Sequence, residues 1–158
     1  MTTPIIRFDP TAWVDDAPFA AHLAHLSATT GLPWTVVATY AGVPLRAAHR
    51  MMAGRRGPRL HRLPHAMARR LLEVSSDELL RLRSTWVAAD ACHRRVGELV
   101  GSGVAVEHLA HLLGCTPDLV ARLADGSPTT VTAELALRAR VACETADRAL
   151  FRRALHAA

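Results

Sequence analysis

The sequence predicts an all-α fold: two successive helical units joined by a helical linker, the second ending in a long C-terminal helix. Two observations lead there. Half of the residues are hydrophobic but only 4% are aromatic, with Ala, Leu and Val dominant, a balance that suits short, closely packed helices better than sheets. And Gly31, Gly42 and Gly54 recur as Gly103, Gly114 and Gly126, each 72 positions later. Between them Val37-Ala38 matches Leu109-Ala110, Val43 matches Cys115, Arg50 matches Arg122 and Met51 matches Leu123. Fixed spacing with matched apolar positions is the mark of an internal duplication. A chain of 158 residues has room for one compact domain or two very small ones.

The elements follow in order. Residues 1–15 are expected to be an extended lead-in, with Pro4 and Pro10 and no helical period. The first unit spans 16–75. Asp15 or Asp16 caps a helix with Pro18 in its first turn and Phe19, Leu23 and Leu26 on one face, ended by Gly31. A short helix runs from about Trp34 to Ala41 and stops at Gly42; another runs from about Pro44 to Ala53 and stops at Gly54. Arg55 to Arg59 form a basic loop, and Pro64 opens a helix reaching Val74. Residues 76–91 are the expected helical linker, begun by the capping-box pair Ser75 and Glu78. The second unit, 92–158, repeats the plan with a loop about four residues shorter. It ends in a helix from Thr132 to about His156 whose seam is Leu135, Ala139, Ala142, Ala146, Ala149 and Leu150.

Each repeat has the form of a helix-turn-helix. Such a motif needs a small residue where two helices cross, then a glycine four residues on, where the turn takes positive φ. Six residues later it needs an apolar side chain that packs the second helix back on the first. Ala38, Gly42 and Ala48 meet this pattern, as do Ala110, Gly114 and Val120. In the second repeat Thr116 caps and Pro117 begins the second helix.

Residues 18–74 resemble a Cro/lambda-repressor type of helix-turn-helix domain, and residues 92–145 resemble the same unit with the shorter loop. With the Trp13-Val14-Asp15 and Pro18 lead-in, the chain is similar to tandem helix-turn-helix DNA-binding proteins of actinobacteria and their phages. The resemblance implies that the second helix of each unit lies in the DNA major groove. In the first unit it places Leu45, Arg46, His49 and Arg50 toward base edges, and Arg55, Arg56, Arg59, His61 and Arg62 near phosphates. In the second unit it places Thr116, Asp118, Ala121 and Arg122 against DNA or protein. The chain has no Lys, Asn or Gln, so the amides that usually read adenine are absent and Arg on guanine is the expected base contact.

The net charge of +5 favours an anionic partner, but it is unevenly shared. Residues 17–74 carry eight Arg against Glu73 alone, whereas residues 101–145 carry three Arg against five acids. Carboxylates such as Asp118 and Asp125 meet phosphates unfavourably, unless one accepts from a cytosine amine. The second unit is therefore a weak DNA reader or a copy turned to protein contact.

Other chemistries find little footing. The cysteines Cys92, Cys115 and Cys143 form no CxxC pair, and no signal peptide is recognisable, so a reduced, cytoplasmic protein is expected, nucleoid-associated if it binds DNA as the resemblance implies. No apolar run reaches membrane-spanning length. His108 and His111 lie near Cys115, but that cysteine fills a position normally apolar in the motif, so no metal is expected. No P-loop, GxSxG, HExxH or paired-carboxylate motif occurs, and the sole tyrosine, Tyr40, falls within a helix of the first motif. The expectation is not an enzyme but a cofactor-free regulator that binds double-stranded DNA specifically and represses by occupying promoters, with no small-molecule ligand evident. The alternatives are an adaptor that binds protein through its helix-turn-helix units, and a nucleoid or phage-maintenance factor of low sequence preference. The C-terminal helix either packs within its own unit or forms a homodimer seam, with Phe151 and Leu155 as anchors.

Overall fold

Two short antiparallel ribbons organise a largely helical chain. The computed structural model describes residues 12–53 and 62–156, of which 150–156 are described by their backbone alone. They form β1 (Trp13–Asp15), α1 (Ala17–Thr30), α2 (Trp34–Tyr40), α3 (Leu45–Met52), β2 (Arg62–Pro64), α4 (His65–Glu73), α5 (Ser76–Arg81), β3 (Trp86–Ala88), α6 (Asp90–Gly101), α7 (Val106–Leu113), α8 (Pro117–Ala124), β4 (Thr130–Thr132) and α9 (Ala133–His156). The chain divides into two units, Met1–Ser76 and Asp77–Ala158. After α5, the second unit repeats the element order of the first, from strand to closing helix.

In unit 1, β1 pairs antiparallel with β2, with Val14 opposite Leu63. In unit 2, β3 pairs with β4, with Val87 opposite Val131. Each ribbon is closed by the same backbone bond. His65 N donates to Ala12 O at 2.9 Å, and Ala133 N donates to Thr85 O at 2.8 Å. The ribbon thus ties the start of each unit to its last helix. Leu63 and Val131 turn inward, 0% and 2% exposed, while Trp13 and Trp86 stand out at 56% and 66%.

The ribbons change the expected architecture. The all-α expectation holds in the coarse sense that the chain is mostly helical, with two small two-stranded sheets. Residues 76–91 are not one helical connection: α5 ends at Arg81, a turn follows, and β3 precedes α6. Thr85-Trp86-Val87 is a β-branched and aromatic run that favours extended backbone, and Thr130-Val131-Thr132 offers it a matching edge.

Helix ends follow from local chemistry. The backbone N–H of Ala17 donates to Asp15 Oδ1 at 3.1 Å, whereas Asp16, in the N-cap position of α1, makes no side-chain cap bond. At the far end, Thr30 Oγ1 donates to Leu26 O at 2.7 Å and Ser27 Oγ to Leu32 O at 2.6 Å. Leu23, Leu26, Leu32, Val36, Val37, Ala48, Met51, Leu63 and Leu71 form the core of unit 1. Val96, Leu99, Leu109, Leu113, Val120, Leu123, Val131 and Ala139 fill unit 2. Truncating one such leucine to alanine typically costs about 2–5 kcal/mol.

Candidate nucleic-acid interface

The candidate surface is built on α2, the turn after it, and α3. Ala38 and Ala48 are both 0% exposed, so two alanines stand at buried positions of the neighbouring helices α2 and α3. Between them the chain reverses at Gly42, where φ is +71°. Gly42 N donates to Thr39 O at 3.1 Å and Val43 N to Ala38 O at 2.9 Å, the six-to-one bond that closes a left-handed helix end. Unit 2 repeats this at Gly114, with φ +67° and Cys115 N donating to Ala110 O at 3.0 Å. Ala110 and Val120 are buried there, at 4% and 0% exposed.

Anchored in this way, α3 has two faces. Leu45, Ala48 and Met51 point inward, at 3%, 0% and 2% exposed, while Arg46, His49 and Arg50 are exposed. Leu45, expected to read bases, is therefore a core residue. It is the first residue of α3, directly after Pro44, and shares the i, i+3, i+6 stripe of Ala48 and Met51. The His49 ring meets Trp34 edge to face, with centroids 4.9 Å apart, which orients the imidazole on the outer face. Arg62 lies exposed on β2. Arg55, Arg56, Arg59 and His61, expected near phosphates, lie outside the described residues.

The sequence reading missed one arginine. Arg70 of α4 lays its guanidinium over the turn: Nη1 sits 3.4 Å from where a Cβ on Gly42 would stand. Its neighbour Arg69 is instead held by Glu73 at 2.8 Å, with both groups exposed, a pair worth little to stability. The signal was present in the sequence as Arg70 and Arg138, both in the last helix of their units, but it falls 68 positions apart and outside the 72-residue spacing of the glycines.

The matching surface of unit 2 differs in charge. On α8, Thr116 Oγ1 accepts from Leu119 N at 3.3 Å and caps the helix. Asp118, Ala121 and Arg122 are exposed, and Asp125 follows at the helix end. Beside the α7–α8 turn, a cleft of about 380 Å³ is lined by Trp86, Cys115, Leu119, Val131 and Leu135, with Arg83 and Glu134 among its polar groups. Burial pushes the Cys115 thiol up, against the opposing effect of Arg138. Burial lifts the Cys92 thiol to about 11, so neither cysteine has the depressed pKa of a reactive thiolate. All three cysteines are free, and among the described residues no three His, Cys, Asp or Glu side chains gather as a metal would need.

No protein-family model, curated protein or solved structure matches the chain. The functional reading therefore rests on the surface itself. Among the described residues, no helix is long and apolar enough to cross a membrane.

Proposed function

We propose that the chain is a sequence-specific DNA-binding regulator, acting as a repressor, whose two units are tandem helix-turn-helix modules. One observation carries the reading: α3 is locked to the core by Leu45, Ala48 and Met51 and turns a face of Arg46, His49 and Arg50 to solvent. A short helix fixed on one side and cationic on the other suits insertion into a major groove, where Arg meets guanine O6 and N7. The protein then works without cofactor or catalytic step, in the cytoplasm on the nucleoid. The Leu135, Ala139 and Ala142 side of α9 is buried in the core of unit 2, so in this reading a homodimer contact falls to the part of the helix beyond Ala146.

The decisive experiment is recovery of bound DNA fragments across the genome of the source cell, joined to binding of labelled duplexes at several salt concentrations. One shared sequence motif, and a log–log salt slope of about −4 to −5 for four to six phosphates neutralised, are the expected results. Broad coverage without a motif would replace the regulator with a low-specificity packaging protein. Salt-independent binding would remove the electrostatic basis altogether.

A second reading draws on unit 2 alone. Asp118 stands where unit 1 has Arg46, and the neighbouring cleft has an apolar lining. Both features suit contact with a protein, which would make the chain an adaptor held to DNA by unit 1.

A further inference from the structure

The two units carry the same arginine at the same place but surround it differently. Arg70 Nη1 lies 3.4 Å from the Cβ position of Gly42, and Arg138 Cζ and Nη1 lie 3.5 Å from that of Gly114. In unit 2 this charge is answered. Arg138 Nε donates to Glu134 Oε1 at 2.8 Å, the other oxygen of Glu134 accepts from Arg83 Nε at 3.1 Å, and the Glu134 and Arg138 side chains are only 15% and 16% exposed. In unit 1 the residue one turn before Arg70, matching Glu134, is Ala66. Arg70 is exposed and has no ion-pair partner among the described residues. Glu73, the acid closest to it in sequence, is taken by Arg69.

An exposed guanidinium that no carboxylate among the described residues holds is open to mobile anions, which a nucleic-acid phosphate displaces with release of counterions. Arg also matches phosphate through two parallel N–H donors. Its position over the turn, where the chain passes from α2 into α3, sets that fork beside the helix proposed to enter the groove. We propose that Arg70 is a DNA-phosphate contact of unit 1, and that Glu134 withdraws the equivalent contact in unit 2 by holding Arg138 in an ion pair. The inference rests on the DNA-binding reading above. It assigns the difference between the units to a single carboxylate, in addition to the exchange of Arg46 for Asp118.

The test transplants that carboxylate. Full-length wild type, Ala66→Glu, Ala66→Gln, Arg70→Ala and Arg70→Lys are titrated with a labelled mixed-sequence duplex over a salt series, with circular dichroism confirming that each variant is folded. Ala66→Glu and Arg70→Ala should each weaken binding by roughly 3- to 10-fold near 0.1 M salt and make the log–log slope shallower by about 0.9. Ala66→Gln and Arg70→Lys should keep the wild-type slope, since the first adds no charge and the second removes none. Wild-type binding with unchanged slopes for Ala66→Glu and Arg70→Ala would overturn the role of Arg70 while leaving the DNA-binding reading intact. Equal losses for Ala66→Glu and Ala66→Gln would also overturn it, by showing a steric effect. A wild-type protein that binds no duplex at any salt concentration removes both.

Discussion

At the scale of single residues, the glycines divide into those the backbone requires and those it merely tolerates. Gly42 sits at φ +71°, a region that costs a side-chain-bearing residue about 1–2 kcal/mol. Gly42→Ala should therefore lower the unfolding temperature of unit 1 by several degrees, read by thermal circular dichroism. Gly97 lies within α6, and a Cβ there meets nothing within 4 Å. Gly97→Ala should stabilise by about 0.5–1 kcal/mol, because alanine gives up less backbone freedom on folding. Asp16 offers a second contrast. It is 1% exposed and its Oδ2 has no hydrogen-bond partner among the described residues, while the matching residue in unit 2 is the buried Ala89. Removing an unsatisfied polar group at such a site relieves its desolvation cost, so Asp16→Ala should raise the melting temperature; a fall would mean that the carboxyl holds the start of α1. Cys92 sets a pH dependence. Its thiol is raised from 9.0 to about 11, chiefly by burial, so between those values the unfolded chain releases a proton that the folded chain retains. Stability should be intact below pH 9 and fall as pH rises toward 11, more steeply in wild type than in Cys92→Ala when melting is followed across that range.

At the scale of elements, α3 makes the sharpest separation between reading and anchoring. If its outer face enters the groove, Arg46→Ala should cost about 1–3 kcal/mol on the preferred site and much less on unrelated DNA. Arg62→Ala, on the ribbon, should weaken both duplexes by similar factors. Equal losses for both variants on both sequences would strip Arg46 of a reading role. The helices and turns were largely legible in the sequence, because glycine at a helix end and apolar residues at three- and four-residue spacing carry that information locally. Leu45 was misplaced for a definite reason: the resemblance assigns positions along the helix, whereas the side that faces inward is set by the stripe continuing through Ala48 and Met51. The ribbons were missed because a three-residue strand gives only one alternation of side chains. Trp13-Val14 and Trp86-Val87 do repeat, but 73 positions apart, one out of step with the glycines. The one-residue difference lies toward the C-terminal ends of α1 and α6, where the matched residues Leu26 and Leu99 precede Gly31 and Gly103 by five and four positions. Arg70 escaped notice because its importance depends on a contact across the fold and on what is missing at Ala66.

At the scale of the whole molecule, the open question is whether two similar frameworks do one job or two. Both units keep the buried small residue, the positive-φ glycine and the six-to-one turn bond. What differs is charge: Arg46 against Asp118, and Ala66 against Glu134. A duplicated framework whose cationic groups have been replaced or neutralised fits a division of labour, with unit 1 on DNA and unit 2 on a protein. The alternative is a bipartite reader, in which Arg122 of α8 still contacts DNA and the linkage of the two units raises the effective concentration of the second. The fragment ending at Ser76, where unit 1 ends, separates the two when compared with the full chain on the preferred site. A division of labour requires both proteins to protect the same DNA segment with affinities within a few-fold. It also requires Asp118→Arg in the full chain to add nonspecific affinity without altering sequence preference. A bipartite reader requires a longer footprint for the full chain and a loss of tenfold or more on truncation. The shielding of Arg138 by Glu134 favours the shorter footprint, since a second groove contact would have to be made beside a guanidinium already committed to its own carboxylate.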